Sequence, residues 1–259
     1  MAHKRKEMAT ILCQRLLAPG IYDCTLETAL AKEAEPGQFI AVYPKDKSML
    51  LPRPISICEA DGRQETLRIV YRVAGAGTAE FSNWKEGEKV WILGVLGNGF
   101  PWKDVREGQT ALLMGGGIGI PPILELAKRV AGPKKIVLGY RDGDCFLRND
   151  LEKYGDVILA TEDGSVGSRG NVLDAVWENG LDGDVIFACG PMPMLRAVKG
   201  FAAREGIRAY ISLEERMACG VGACLGCVCR TKDVDAHSHV HSARICTDGP
   251  VFEAQEVDI

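Results

Sequence analysis

Cys219-Gly-Val-Gly-Ala-Cys224-Leu-Gly-Cys227 sets three thiols at a C-x4-C-x2-C spacing, and Cys246 supplies a fourth after eighteen intervening residues. Converging thiolates at that spacing suit a plant-type 2Fe-2S cluster. Such a cluster also needs backbone amides turned toward its sulfurs. Gly220, Gly222 and Gly226 provide a chain that folds tightly enough to do this. Cys229 is a fifth cysteine with no place in the four-ligand set. Zinc is the rival reading, because His237, His239 and His241 stand nearby. Zinc sites, however, pair close-spaced ligands twice over, and the second half here has one cysteine. The alternating histidines read as one face of a solvated hairpin strand.

A second chemical signal is Met114-Gly115-Gly116-Gly117-Ile118-Gly119-Ile120-Pro121-Pro122, between an apolar strand and a helical pattern. Free amides at a helix start hold a pyrophosphate, and proline suits the first turn because no amide is needed there. The G-x-G-x-x-G spacing is not met, since Ile120 stands where the last glycine belongs. Cys189-Gly190-Pro191 closes a later strand, at the end of a sheet where ligand crevices form. Arg53-Pro54-Ile55-Ser56 and Gly77-Thr78, earlier in the chain, would hold a second anionic cofactor through a guanidinium and a helix start.

These groups need elements to position them. Up to about residue 100 the chain reads as short strands, among them Gln38–Tyr43, Leu67–Tyr71 and Lys89–Leu93, with one helix at Thr78–Trp84. That spacing predicts a barrel or sandwich. From Ala111 strands and helices alternate. Strands are expected at Ala111–Met114, Lys135–Tyr140, Val157–Thr161, Val185–Cys189 and Ala209–Leu213. Helices are expected at Ile123–Val130, Phe146–Tyr154, Val172–Trp177 and Met192–Glu205. This is the pattern of a parallel sheet covered on both faces. Beyond Glu215 too little apolar sequence remains for an independent core, so a metal is expected to hold the tail.

Composition narrows the function further. Lys and Arg number 31 against 35 Asp and Glu, a net charge of −4, which argues against nucleic acid as a partner. Lys4-Arg5-Lys6 leads into no apolar segment, and Ala111–Leu124 carries four glycines and two prolines. Neither a signal peptide nor a membrane span is expected, and the chain reads as cytoplasmic. Clustering of half the ten cysteines at one end argues for a metal site over a disulfide scaffold.

The order Arg-Pro-Ile-Ser, Gly-Thr, glycine loop, Cys-Gly-Pro resembles the ferredoxin–NADP reductase superfamily. With the segments Glu215–Cys229 and Cys246-Thr-Asp-Gly-Pro-Val-Phe added, the chain resembles the electron-transfer subunits of NAD-dependent (type B) dihydroorotate dehydrogenases. The resemblance implies an N-terminal antiparallel flavin-binding β-barrel (1–102), a Rossmann-like parallel α/β nucleotide domain (103–214) and a small iron–sulfur tail (215–259). It implies FAD on Arg53, Pro54, Ile55, Ser56, Ile69, Val70, Tyr71 and Arg72, with Gly77 and Thr78 at its pyrophosphate. Ser56 falls near the flavin ring, where many relatives precede it with Tyr in place of Ile55. NAD is expected on Gly115, Gly116, Gly117, Gly119, Gly190 and Pro191, with Cys189 near the nicotinamide. The 2Fe-2S cluster falls to Cys219, Cys224, Cys227 and Cys246. The implied partner is an FMN-containing catalytic subunit, in a heterotetramer of two plus two. No acid–base residue is expected, because a flavin converts between hydride and single-electron transfer. Two other readings share these motifs: a reductase serving a ferredoxin, hydrogenase or sulfur-reducing partner, and a non-enzymatic nucleotide sensor with a zinc-stapled tail. Residues alone do not choose between NAD and NADP, although Glu162 and Asp163 follow a strand where they would disfavour a 2′-phosphate.

Overall fold

A computed structural model describes residues 4–234 and 239–259. Six strands close an antiparallel barrel: β1 (Arg5–Ala18), β2 (Ile21–Glu27), β3 (Phe39–Val42), β4 (Arg53–Asp61), β5 (Thr66–Arg72) and β6 (Lys89–Leu96), in the order β1-β2-β5-β4-β3-β6. Closure leaves no free edge on the barrel. Its interior is filled by alternate residues, including Ile11, Leu26, Ile40, Leu67, Ile69 and Tyr71. Helix α1 (Ala76–Phe81) begins two residues before the expected Thr78. Thr78 lies inside its first turn and folds back, its hydroxyl accepting from the amides of Ala74 (2.9 Å) and Gly75 (3.2 Å).

The second half is a sheet of β7 (Ala111–Gly116), β8 (Lys134–Tyr140), β9 (Asp156–Thr161), β10 (Ser168–Arg169), β11 (Val185–Cys189) and β12 (Arg208–Ser212). These strands run parallel, in the order β10-β9-β8-β7-β11-β12. They are joined through α2 (Ile120–Arg129), α3 (Arg148–Leu151), α4 (Val172–Glu178) and α5 (Met192–Glu205). Helix α2 starts three residues earlier than expected, with both prolines in its first turn. The helix expected over Phe146–Tyr154 shrinks to the single turn of α3. Leu147 sits in the left-handed region at φ 63°, which a continuing helix cannot cross.

The tail forms β13 (Val228–Thr231), β14 (Ser242–Arg244), β15 (Val251–Glu253) and β16 (Val257–Asp258). A metal is not its only anchor. β15 joins the large sheet as an antiparallel edge beside β12, while β14-β13-β16 make a small sheet of their own. Ile245, Phe252 and Val257 enter one apolar core with Phe39 and Leu96 of the barrel and Ile186 and Ile211 of the sheet. Of the histidines, His239 and His241 keep the expected solvated hairpin but not the expected strand face. His239 and His241 are exposed in the connection between β13 and β14, not on a strand, because His239 takes a positive φ of 56° that breaks extension. His237 lies outside the described residues.

Two seams fix the halves. Glu125 on α2, fully buried, accepts from the Ala60 amide of β4 at 3.0 Å and from Arg129 Nε at 2.7 Å, with Lys128 at 3.6 Å. Nearby, Arg68 of β5 donates to buried Asp23 (2.9 Å), to Glu59 (2.7 Å) and to Asp150 at 3.0 Å across the boundary. Among the described residues no helix is long and apolar enough to cross a membrane. Glu125→Ala leaves the Ala60 N–H and two cations without their carboxylate. We expect a loss of about 2–3 kcal/mol in denaturant unfolding, with both halves affected together.

Candidate functional site

Where barrel, sheet and tail meet there is a cavity of about 340 Å³. One wall is β4, through Arg53, Pro54, Ile55 and Ser56, and a second is β5, through Val70, Tyr71 and Arg72. Opposite stand Ile118 of the glycine loop, Ser212 to Glu215 at the end of β12, and Met217 and Pro250 of the tail. The period of two along β5 separates the expected residues. Val70 and Arg72 face the cavity, Tyr71 borders it while its ring packs in the barrel core, and Ile69 alone of the four lies wholly inside the barrel. There Tyr71 donates to Gln14 Oε1 at 2.9 Å and stacks on Tyr22. A second, more open hollow of about 1,030 Å³ shares Arg53, Pro54 and Glu214 and runs along Leu50, Leu51 and Gly75. The two hollows adjoin, sharing Arg53, Pro54, Glu214, Glu215 and Met217 on their walls. The Arg53 guanidinium lies flat on Gly77, so that a Cβ there would stand 2.5 Å from Nε. Glycine at 77 is what lets the cation settle onto the helix start.

Arg72 also reaches a third hollow of about 510 Å³, lined by Gly116, Gly117, Tyr140, Arg141, Glu162 and Pro191. It forms because β7 is the point where strand order turns, with β8 on one side and β11 on the other. The glycine loop and Cys189-Gly190-Pro191 therefore emerge side by side, Cys189 paired with Gly115. They pack so closely that a Cβ on Gly119 would lie 2.5 Å from the Cys189 carbonyl. Gly115, Gly119, Cys189 and Gly190 build the floor beneath, not the lining. Burial pushes the Cys189 thiol up to about 12, so it is a neutral packing group. Glu214, unmarked in the sequence, lines both the cavity between the domains and the open hollow beside Arg53. Its side chain opens to the cleft, yet the surrounding walls desolvate the carboxyl and raise its pKa, with Arg72 opposing. Its only sequence signal was its place at the end of the last parallel strand.

The cysteines form two pairs. The thiols of Cys219 and Cys224 interact, and so do those of Cys227 and Cys246. Burial opposes ionisation of Cys219, but amides from Val221, Cys224 and Ala223 point at its sulfur and bring it down to about 6. The Val221 and Cys224 nitrogens lie 3.4 Å from it. Cys246 goes the other way: burial and the neighbouring Cys227 thiol push it up to about 12. Among the described residues no three potential ligands gather tightly enough to cage a single metal ion. Two thiol pairs framed by inward amides instead fit a binuclear cluster, one pair for each iron. Cys229 on β13 is half-buried against the core.

A barrel with a flavin-sized groove, a parallel nucleotide sheet and a four-cysteine loop define a flavin- and nicotinamide-linked reductase with an iron–sulfur module. The iron–sulfur cluster binding domain of dihydroorotate dehydrogenase B matches residues 214–258. The electron transfer subunit of dihydroorotate dehydrogenase B (NAD(+)) from Bacillus cereus (strain B4264) is 42% identical over 98% of both chains. Its counterpart in Lysinibacillus sphaericus (strain C3-41) is 42% identical over 96% of each. The chain belongs to this family of electron-transfer subunits. Among solved structures, an NADH-dependent reduced ferredoxin-NADP oxidoreductase is 27% identical with a TM-score of 0.86, covering 97% of this chain and 90% of that one. The ferredoxin reductase of carbazole 1,9a-dioxygenase shares the fold at 20% identity, with a TM-score of 0.66 over 79% of this chain and 67% of that one. The zinc-stapled reading of the tail gives way to iron–sulfur on the family match and the paired thiols.

Gly119→Ala forces the glycine loop away from Cys189 and Gly190. It should cost about 1–3 kcal/mol and reduce the rise in melting temperature on adding NADH, read by thermal unfolding with and without nucleotide.

Proposed function

We propose that this chain carries electrons between a dihydroorotate-oxidising catalytic subunit and NAD⁺. The carrying observation is that one cavity has walls from barrel, sheet and tail, the tail through Met217 and Pro250, with Arg72 on the walls of both this cavity and the nucleotide hollow. When bound, FAD supplies exchange between hydride and single-electron chemistry, and a 2Fe-2S cluster supplies one-electron transfer. Arg53, seated on Gly77 beside the start of α1, binds the FAD pyrophosphate. Pro54, Ile55 and Ser56 line one side of the flavin position, and Val70 and Arg72 flank it. Gly116 and Gly117 carry the nucleotide phosphates at the start of α2, while Pro191 closes the opposite side. Glu162, on the wall of the same hollow, repels a 2′-phosphate and favours NAD over NADP.

Cys219 and Cys224 serve one iron, Cys227 and Cys246 the other. Cys224 is exposed, and Leu225 beside it is 62% exposed, so this corner of the tail is open to an approaching redox partner. We assign the partner as the FMN-containing catalytic subunit, in a cytoplasmic heterotetramer of two plus two. Working boundaries fall near residues 102 and 214, with β15 lent by the tail to the central sheet. A ferredoxin-linked role is the second reading. It is favoured by the near-complete superposition on the ferredoxin-NADP oxidoreductase, and co-purification with a dihydroorotate-oxidising subunit decides between the two.

Cys224→Ser should abolish the 2Fe-2S electron paramagnetic resonance signal while FAD content and NADH-dependent flavin reduction survive. Loss of both functions would contradict a separable tail. Arg53→Ala should weaken FAD retention by about 1.5–3 kcal/mol, measured as flavin release on dilution; unchanged retention would place Arg53 outside the pyrophosphate site.

A further inference from the structure

Thr247 follows the last cluster cysteine, and its hydroxyl oxygen is buried without a hydrogen-bond partner. Buried hydroxyls are nearly always satisfied, so one left alone marks a missing neighbour. The side chain is not loosely placed. Arg244 and Asp248 lock the turn around it, with the Arg244 amide and Nε donating to Asp248 Oδ2 at 2.7 and 2.9 Å and Nη2 donating to Oδ1 at 2.9 Å. Asn98 of the barrel end donates to the Thr247 and Asp248 carbonyls at 3.1 and 3.0 Å. The Thr247 side chain therefore presses on the cysteine loop. A Cβ on Gly222 would stand 2.9 Å from its methyl and 3.0 Å from its hydroxyl. Gly222 has φ +83°, and its amide points at the Cys246 sulfur. The hydroxyl thus lies against the residue whose amide addresses a cluster sulfur, between the two segments that supply the four thiols.

We propose that the Thr247 hydroxyl donates a hydrogen bond to a sulfur of the cluster held by Cys219, Cys224, Cys227 and Cys246, and that this bond sets the cluster's reduction potential. The inference rests on the iron–sulfur reading above and adds a residue outside the ligand set. Reduction adds negative charge to the cluster, and a donor aimed at sulfur stabilises that charge, so the bond raises the potential. The methyl, packed on Gly222, fixes which way the hydroxyl can turn.

The test is a redox titration of the holo-complex followed by electron paramagnetic resonance, comparing wild type with Thr247→Ser, Thr247→Val and Thr247→Ala. The Ser chain, which keeps the hydroxyl, should hold the wild-type midpoint. The Val and Ala chains should load iron and shift to a more negative midpoint by similar amounts. Failure of both to load iron while the Ser chain loads normally would also place the hydroxyl at the cluster. Wild-type midpoints in the Val and Ala chains would overturn the role of Thr247 alone. Absence of any 2Fe-2S signal in the wild-type complex would overturn the cluster assignment beneath it.

Discussion

A buried ionic seam between barrel and sheet is the interaction on which the redox geometry depends. Glu125 sits in the apolar floor of α2 and reaches the backbone of β4, the same strand that begins with Arg53. A carboxylate is costly to bury unless its hydrogen bonds are complete. Here the Ala60 amide, Arg129 and Lys128 complete them, and the geometry is tolerated only while the two domains keep one relative position. Arg68 repeats the device from β5, neutralising Asp23 and Glu59 on the outer face of the barrel while reaching Asp150 across the gap. The strands that carry the cavity wall are thus the strands riveted to the neighbouring domain. Arg72, two pleats beyond Arg68 on the same face of β5, faces the glycine loop because of it, with a Cβ on Gly117 lying 3.5 Å from its Nη2.

The tail is held by the same logic on the other side. Asn98, just past β6, gives its side-chain donors to the turn at 247–248 and its amide to the Gly249 carbonyl at 2.6 Å. β15 then takes its place at the sheet edge, with Ile211 paired to Phe252. Burying an aromatic such as Phe252 contributes about 1.5–3 kcal/mol, so the cysteine loop is presented on an already folded base. The electrostatics of that loop are uneven. Amides converge on Cys219 and favour its thiolate, while Cys246 is buried beside Cys227 and resists ionisation. A positively charged binuclear iron centre would relieve the second pair most.

The sequence by itself determined the chemistry and the order of the modules. The x4 and x2 cysteine spacings name a cluster because ligand separation along a tight loop is a local property. Strands at β11 and a helix at α5 match their expected limits because their apolar patterns are continuous and their ends carry Gly or Pro. Tertiary structure decided what local pattern could not. Which of Ile69, Val70, Tyr71 and Arg72 border the cavity follows from barrel closure, which assigns one set of alternate residues to the interior. Glu214 became a site residue only when β12 brought it opposite Arg72. The tail's β15 joined the central sheet because β12 offered an open edge, a contact between residues some forty positions apart. Pairwise sulfur placement and the orphaned Thr247 hydroxyl likewise arise where distant segments meet, since burial and partner count exist only once the chain has folded.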